Sequence, residues 1–142
     1  MPLTSAEDIR DLLTTTRTIA MVGASDRPDR ASHGVMAYLQ GRGYRVIPVN
    51  PTLAGTVLHG ETVRGALSDI GEPVDMVEIF RRSDAVGPVV DDAIAIGAKA
   101  VWMQLGVVNE DAAAKAEAAG LKVVMDDCPA RAIPRLGVPK VA

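Results

Sequence analysis

The sequence predicts an α/β fold, a three-layer sandwich in which helices cover both faces of a mostly parallel five-stranded sheet. Short apolar runs alternate with helix-like segments along the 142 residues, the order that builds parallel strands joined by helices. Aromatic residues make up only 3% of the chain, so aliphatic residues and methionine must fill the core. Val- and Ile-rich runs are typical of strands that are buried on both faces.

The N-terminal third of the chain predicts two helices and two strands. Thr4 and Glu7 fit a capping box at the start of the first helix. An apolar run over residues 18–22 predicts the first strand, and it ends in the small-residue turn Gly23-Ala24-Ser25. Apolar residues at helical spacing predict a helix over 32–40, and residues 44–49 predict the second strand.

The remainder predicts three more strands separated by helices. Residues 52–61 form an irregular excursion with room for a small hairpin, and Thr62 is expected to cap a short helix ending at Leu67. Ser83 and Asn109 are the expected caps of two longer helices, which stop at Gly97 and Gly120. The predicted strands cover residues 74–80, 100–104 and 121–125. The tail from residue 126 predicts irregular structure or one short helix.

The carboxyl ends of the strands form the predicted ligand site. Ligands of open parallel sheets bind at this edge, near the point where the strand order reverses. The five strand ends are Gly23-Ala24-Ser25, Asn50-Pro51, Phe80-Arg81-Arg82, Gln104-Leu105-Gly106 and Asp126-Asp127-Cys128. The first turn leads into a helix, whose N-terminus favours an anion.

The residues at these strand ends argue against two functions that are common in such folds. The first turn is not the G-x-G-x-x-G of dinucleotide oxidoreductases, and Asn50-Pro51 stands where such folds place a carboxylate for the ribose. Small residues and Phe80-Arg81-Arg82 stand where a phosphorylated receiver domain needs its acids. These residues weaken the hypothesis that the protein binds NAD but leave it open, whereas phosphorylation of an acceptor aspartate is not expected.

Arginines near the strand ends favour a phosphorylated ligand. Arg81 and Arg82 follow a buried strand, and Arg27, Arg30 and Arg45 lie on the first loop and the second strand. Guanidinium groups keep their charge and donate several hydrogen bonds to phosphate. Any one of them is also explained by an ion pair with a nearby Asp at the surface.

Composition excludes several other classes of function. A net charge of −3 with no basic stripe argues against nucleic-acid binding. A single cysteine excludes a disulfide framework and a cysteine-based zinc site, and no metal site is expected. No apolar run approaches the about 20 residues of a membrane helix. We therefore expect one cytoplasmic domain over residues 1–142.

Five segments at these positions carry a family resemblance. They are Gly23-Ala24-Ser25, His33-Gly34-Val35, and the segments over residues 43–51, 75–81 and 101–106. Their order resembles that of the CoA-binding domain family, in particular its small stand-alone bacterial members. The chain is also similar to the N-terminal domain of the succinyl-CoA synthetase alpha subunit and of ADP-forming acyl-CoA synthetases. The resemblance covers about residues 9–135.

The resemblance implies a Rossmann-like domain that holds coenzyme A by its ADP part. Gly23, Ala24 and Ser25 would line the diphosphate turn, and Arg45 would lie near the phosphorylated ribose. Asn50 and Pro51 would border that ribose, where a carboxylate would repel the 3′-phosphate. Phe80 and Arg81 would border the adenine and the pantetheine arm, which would leave past Gln104 and Gly106. The full set of predicted cofactor-binding residues is Gly23, Ala24, Ser25, Arg27, Ser32, His33, Arg45, Asn50, Pro51, Phe80, Arg81, Arg82, Gln104 and Gly106.

Three hypotheses of function follow. The first is a non-catalytic protein that binds CoA or an acyl-CoA, because the second domain and the phosphorylated histidine of the ligases have no counterpart in this sequence. The second is an enzyme, either an NAD(P)-linked oxidoreductase domain or a CoA-ligase subunit that needs a partner chain. The third is an interaction module with a vestigial groove. A homodimer stays open, because no helix face is singled out.

Four residues remain outside these hypotheses. His33 is expected at the helix start near the ligand, and His59 at the surface of the excursion. Cys128 follows two acids that would raise its pKa, so catalysis by its thiol is not expected. A mixed disulfide between Cys128 and the CoA thiol is a further hypothesis. Trp102, within a strand, is expected in the core.

Overall fold

A five-stranded parallel sheet forms the centre of the computed structural model, which describes residues 1–141. Ala142, the last residue of the predicted domain, lies outside the described residues. The sheet runs in the order β2-β1-β5-β6-β7, and every pair in it is parallel. Its strands are β1 Thr18–Val22, β2 Arg45–Val49, β5 Met76–Ile79, β6 Ala100–Met103 and β7 Lys122–Val124. The predicted α/β fold is confirmed.

Helices cover both faces of the sheet. The helices are α1 Ala6–Thr15, α2 Ala31–Gly41, α3 Val86–Ala95, α4 Glu110–Ala118 and α5 Pro129–Leu136. One apolar layer packs α3 and α4 on one face, and the other packs α1, α2 and α5 on the opposite face. Trp102 is fully buried in the second layer, as expected from the sequence.

The strand order reverses between β1 and β5. From β1 the chain moves outward to β2, and it then returns across β1 to build β5, β6 and β7 on the other side. Val22 at the end of β1 pairs with both Val49 and Ile79. The loops after β1 and β5 therefore diverge at this point, which opens a crevice at the carboxyl edge of the sheet.

The excursion after β2 is a hairpin, and the predicted helix at Thr62 is wrong. Strands β3 Val57–Leu58 and β4 Glu61–Thr62 pair antiparallel, and one 3-10 turn precedes them at Pro51–Leu53 and another follows at Leu67–Asp69. The backbone of Arg64 exchanges hydrogen bonds with Pro48 and Asn50 at 2.9 Å each. Pairing with the end of β2 thus keeps residues 62–64 extended, although the sequence after Thr62 favours a helix.

Two of the expected helix caps differ from the prediction. Ser5, not Thr4, caps α1, by accepting a hydrogen bond from the Asp8 amide. The Ser83 hydroxyl caps no helix; it accepts from the Val108 amide at 3.0 Å and so joins the loops after β5 and β6. Asn109 caps α4 as predicted. The C-terminal tail forms the short helix α5, one of its two predicted outcomes.

Within residues 1–141, no helix is both long enough and apolar enough to pass through a lipid bilayer.

Candidate functional site

The crevice at the carboxyl ends of the strands is a cleft of about 710 Å³. This volume is in the usual range for small-molecule sites. Ten of the fourteen predicted site residues line it: Gly23, Ala24, Ser25, Arg27, Ser32, Asn50, Phe80, Arg81, Arg82 and Gln104. The structure therefore brings together residues that are far apart in the sequence, at the place where the sequence predicts a ligand.

The turn after β1 forms the centre of the cleft floor. The Gly23 amide donates to the Val49 carbonyl at 3.0 Å, and the Phe80 amide donates to the Val22 carbonyl at 2.9 Å. Gly23 has a φ of +88°, and a Cβ at this position would overlap the carbonyl oxygen of Phe80. Only glycine therefore lets β1 end this close to β5.

Helix α2 points an uncapped N-terminus at the cleft. Its N-cap residue, Arg30, makes no side-chain capping hydrogen bond, a feature that α2 shares with α3 and α5, whereas α1 and α4 are capped by Ser5 and Asn109. Ala31 and Ser32, in the first turn of α2, line the cleft. The free amides and the helix dipole make this end favourable for an anion.

The cleft is cationic although the chain as a whole is acidic. Arg27, Arg30, Arg81 and Arg82 line it against a single carboxylate, Asp26, whereas the chain carries a net charge of −3. Within residues 1–141, no ion pair engages Arg30 or Arg81.

The other two cleft arginines form only weak ion pairs. Arg27 contacts Asp29 at 3.5 Å, and Arg82 contacts Asp84 at 3.3 Å. Both partners of each pair are largely exposed, so the two ion pairs contribute little to stability. They leave the guanidinium groups of Arg27 and Arg82 free to turn.

Gln104 lines the cleft with a side chain that is mostly buried. It follows β6, is only 6% exposed, and its Oε1 atom has no hydrogen-bond partner. Phe80, half-buried, lines the same part of the cleft, together with Leu105 and Val107. The β6 side of the cleft is therefore largely apolar, with one buried polar group.

Asn50 lines the cleft, but its side chain is already engaged by the protein. Its Nδ2 donates to the Ala24 carbonyl at 2.8 Å, and its Oδ1 accepts from the amide and hydroxyl of Thr52. The side chain therefore ties the loop after β2 to the turn after β1. Pro51, predicted beside it, is exposed and does not line the cleft.

Two further predicted residues lie just outside the cleft. The His33 ring packs against the His59 ring of the hairpin in a tilted arrangement, with ring centroids 4.3 Å apart, and the His59 Nε2 lies 3.0 Å from the His33 carbonyl oxygen. The Gly106 amide donates to Asp126 Oδ1 at 2.7 Å, so this glycine shapes the loop while Leu105 and Val107 line the cleft.

The structure does not bring Arg45 to the cleft. Arg45 is the first residue of β2, whereas the cleft lies past the last, about 16 Å further along a strand that rises about 3.3 Å per residue. Its guanidinium pairs with Glu72 at 3.0 Å and Glu61 at 3.7 Å. The predicted placement beside a bound ribose phosphate is therefore corrected, because residues at opposite ends of one strand lie at opposite edges of the sheet.

Seven cleft residues were outside the predicted set: Asp26, Arg30, Ala31, Thr52, Leu53, Leu105 and Val107. Of these seven, Arg30 could be found from the sequence, because it is one of the arginines near the strand ends that favour a phosphorylated ligand. Leu53 comes from the excursion, whose sequence gives no sign that it folds back beside α2.

Glu78 and Cys128 lie beneath this edge of the sheet. Glu78 is fully buried with both carboxyl oxygens unpartnered; burial raises the pKa of its carboxyl well above the usual range, and the charges of Cys128 and Asp127 add to the effect. Cys128 is a free thiol, 4% exposed, and does not line the cleft. The mixed disulfide with CoA remains a prediction that requires this part of the floor to open.

No group of three or more metal-ligating side chains occurs in the described part of the chain.

Comparison with known proteins places the chain among CoA-binding domains. A family model described as a CoA binding domain matches residues 17–134. The uncharacterized protein YneT of Bacillus subtilis (strain 168) is 40% identical over 124 residues, which are 87% of this chain and 90% of YneT.

Solved structures share the fold. A hypothetical protein from Pyrococcus horikoshii OT3 has a TM-score of 0.89 at 39% identity, over 96% of each chain. A dinucleotide-forming acetyl-coenzyme A synthetase 1 of Ca. Korarchaeum cryptofilum, in complex with phosphate and ADP, has a TM-score of 0.70 at 27% identity. That match covers 87% of this chain and 30% of the synthetase chain.

Proposed function

Because the chain belongs to the CoA-binding domain family, we propose that its cleft binds coenzyme A or an acyl-CoA through the ADP moiety. The observation that carries the proposal is that the cleft is positively charged although the molecule as a whole is negatively charged. Four arginines surround one pocket of a protein whose net charge is −3. A ligand with several phosphate groups fits this arrangement better than a neutral one.

The diphosphate is assigned to the turn after β1. Gly23, Ala24 and Ser25 bring the backbone close, and the uncapped start of α2 faces the same space. The phosphate oxygens would then accept hydrogen bonds from backbone amides, and guanidinium groups would balance their charge, with Arg30 and Arg81 the strongest candidates because neither is held in an ion pair.

The protein is proposed to bind without catalysing a reaction on its own. Apart from its arginines, the only titratable side chain among the residues that line the cleft is the exposed Asp26. Acetyl-CoA incubated with the purified protein should be recovered unchanged. Hydrolysis faster than in buffer would contradict this part of the proposal. A cytoplasmic location and a homodimer remain predictions.

Titration calorimetry with CoA, dephospho-CoA and NAD tests the proposal. We expect CoA to bind with a Kd on the order of micromolar and dephospho-CoA to bind more weakly. Arg30→Ala and Arg81→Ala should each raise the Kd for CoA by at least about tenfold, since a hydrogen bond to a charged group contributes about 1.5–3 kcal/mol.

Arg131→Ala is the matched control, because Arg131 is exposed on α5 and does not line the cleft. It removes the same charge and should leave the Kd unchanged. Tight binding of NAD with no response to CoA would overturn the proposal.

A CoA-ligase subunit that works with a separate chain is the second candidate. It is favoured by the similarity to part of an acetyl-coenzyme A synthetase. The synthetase portion without a counterpart in this chain would then be supplied by that partner. Acyl-CoA formation from CoA, a carboxylic acid and ATP that appears only when this chain is added to a second protein would support this alternative over the first.

A further inference from the structure

We propose that Glu78 couples the cleft to a proton: the protein holds a polyanionic ligand tightly while this carboxyl is neutral and weakly once it is ionised. This inference rests on the proposed function and adds a way in which pH regulates the same site. Glu78 is fully buried, so it acts on the ligand through charge and not through contact.

Glu78 lies directly beneath the floor of the cleft. Its register partners in the sheet are Met21 of β1 and Trp102 of β6. Two residues beyond Met21 and Glu78, Gly23 and Phe80 line the cleft. Because residues i and i+2 of a strand share a face, the Glu78 side chain lies on the same face of the sheet as Phe80, about 7 Å below it. Helix α2, whose N-terminus faces the cleft, covers this face.

Nothing within the described residues stabilises the ionised form of Glu78. Neither carboxyl oxygen has a hydrogen-bond partner, and no ion pair engages the side chain. A buried carboxylate without water or a cation beside it is costly, so this environment favours the neutral acid. A charge that arrives in the cleft therefore acts on a group that has no local partner to offset it.

The segment after β7 brings further acidic groups to Glu78. Asp127 and Cys128 are close enough for their charges to oppose its ionisation. The indole of Trp102 donates to the Asp127 carbonyl oxygen at 2.8 Å and so holds this segment next to Glu78. The Asp127 carboxylate is itself paired with Arg135 of α5 at 2.8 Å. No cation of this segment is therefore left to stabilise an ionised Glu78.

The other elements on this face offer Glu78 no titratable partner. Strands β1 and β6 carry no titratable side chain, and the buried residues of α1, α2 and α5 include none. His33 of α2 packs against His59 of the hairpin. The cleft arginines lie in exposed loops above the floor. The ligand is thus the main source of new charge near Glu78.

A ligand with several phosphate groups brings negative charge above this carboxyl and displaces water from the floor. Both effects oppose ionisation, so the pKa of Glu78 is higher in the complex than in the free protein. A unit charge on the order of 10 Å away, at an effective dielectric constant of about 20, shifts a pKa by about one unit. By linkage, ionisation of Glu78 weakens ligand binding by the same factor, about tenfold.

The sign of the pH dependence follows from these two pKa values. At a pH below the pKa of the free protein, Glu78 is neutral with or without ligand and does not affect affinity. Between the pKa of the free protein and that of the complex, binding takes up a proton, and affinity falls as pH rises.

Calorimetric titration of 3′-phospho-ADP between about pH 6 and about pH 9.5 tests the coupling. This probe carries the ADP phosphates of CoA without a thiol that would itself ionise. Glu78→Gln has nearly the same shape and stays neutral, so it mimics the protonated residue. We expect the two proteins to bind equally at about pH 6, and the native protein to bind about tenfold more weakly than Glu78→Gln at about pH 9.5.

The same comparison in a Cys128→Ala background separates the carboxyl from the neighbouring thiol, which also ionises in this range. Glu78→Gln should still abolish the loss of affinity at high pH. A loss that disappears with Cys128→Ala alone and persists in Glu78→Gln would assign the proton to the thiol and overturn the role of Glu78. If Glu78→Gln does not fold, Glu78→Met supplies the neutral side chain, and urea unfolding at each pH checks that every protein is native.

The remaining outcomes separate the inference from the function beneath it. Native protein and Glu78→Gln that bind 3′-phospho-ADP with the same pH dependence would overturn the coupling and leave the proposed function standing. Native protein that binds neither 3′-phospho-ADP nor CoA at any pH would overturn the proposed function itself.

Discussion

Glu78 is a carboxyl group inside an apolar layer, between Met21 of β1 and Trp102 of β6 in the sheet register. Neither of its oxygens has a hydrogen-bond partner, and its side chain is fully buried. Ionising such a group in a low-dielectric interior is costly, so burial raises its pKa, and the charges of Cys128 and Asp127 raise it further. The native protein therefore holds this proton where the unfolded chain releases it.

The proton on Glu78 predicts a pH dependence of stability. Above the ordinary carboxyl pKa of 4.5 the unfolded chain loses this proton and the folded chain keeps it, so the free energy of unfolding falls as pH rises toward the folded pKa. Each unit of difference between the folded-state and unfolded-state pKa lowers the free energy of unfolding, once both forms have ionised, by about 1.4 kcal/mol. Glu78→Gln does not ionise, so its stability relative to native protein should increase between about pH 5 and about pH 8 in urea unfolding.

Asp92→Asn, which removes an exposed carboxyl from α3, is the control for this comparison. A stability difference between Glu78→Gln and the native protein that stays constant with pH would contradict the assignment of this proton.

At the scale of the elements, the loops at the sheet edge hold one another in place. The loop after β2 is tied to the turn after β1 through Asn50 and the Ala24 carbonyl. The loop after β6 is tied to the segment after β7 by the hydrogen bond from the Gly106 amide to the Asp126 carboxylate, and Asp126 itself has a φ of +55°. Short loops joined in this way keep the backbone groups that line the cleft in fixed relative positions, which is what a phosphate site needs.

Asn50→Ala tests whether this tie matters for binding. The variant leaves the Ala24 carbonyl without its donor and should lose about 1–2 kcal/mol of stability. Because the turn that is proposed to face the diphosphate is then less well held, we expect CoA to bind several-fold more weakly in calorimetric titration, although the Asn50 side chain already spends its Oδ1 and one of its N–H groups on the protein.

Ser5→Ala provides the matched control for Asn50→Ala. Ser5 caps α1 and does not line the cleft, and loss of such a cap costs about 1 kcal/mol. It should reduce stability and leave the affinity for CoA unchanged. If Asn50→Ala is destabilised and still binds CoA with native affinity, the tie has no part in the site.

At the scale of the whole molecule, charge is distributed unevenly. The chain is acidic overall, yet the carboxyl edge of the sheet gathers four arginines around one cleft. At the opposite edge Arg45 is paired with Glu61 and Glu72. The cleft is therefore expected to attract anions although the net charge of the whole chain is negative.

This distribution predicts that salt weakens CoA binding. The Debye length shortens from about 10 Å at 0.1 M to about 3 Å at 1 M, so the attraction between the cleft and the phosphates is screened. We expect the Kd for CoA to rise at least about fivefold between about 0.05 M and about 0.5 M NaCl. Dephospho-CoA, with one phosphate fewer, should show a shallower slope in the same titrations.

The double variant Arg30→Ala/Arg81→Ala should flatten the salt dependence for CoA, whereas Arg45→Ala should leave it unchanged because that guanidinium lies at the other edge of the sheet. Equal slopes for CoA and dephospho-CoA would contradict a contribution of the 3′-phosphate to the electrostatic attraction.

The sequence by itself determined the fold and most of the cleft. Apolar runs separated by helix signals specify strands and helices locally, and parallel strands bring their carboxyl ends to one edge whatever the loop details. The turn at Gly23, Phe80 with its two arginines, and Gln104 could therefore be assigned to one site before any distance was known. These predictions depend only on which residues follow a strand.

Only the tertiary structure decided which side chains near those ends face the cleft. Arg45 fits a phosphate site by residue type, but its place at the start of β2 puts it at the far edge. His33 lies on α2 beside the cleft and packs against His59 of the hairpin instead, and residues 62–64 pair with the end of β2 in place of a helix. In each case long-range packing outweighed a local signal, because pairing partners far along the chain are set by the folded sheet and not by neighbouring residues.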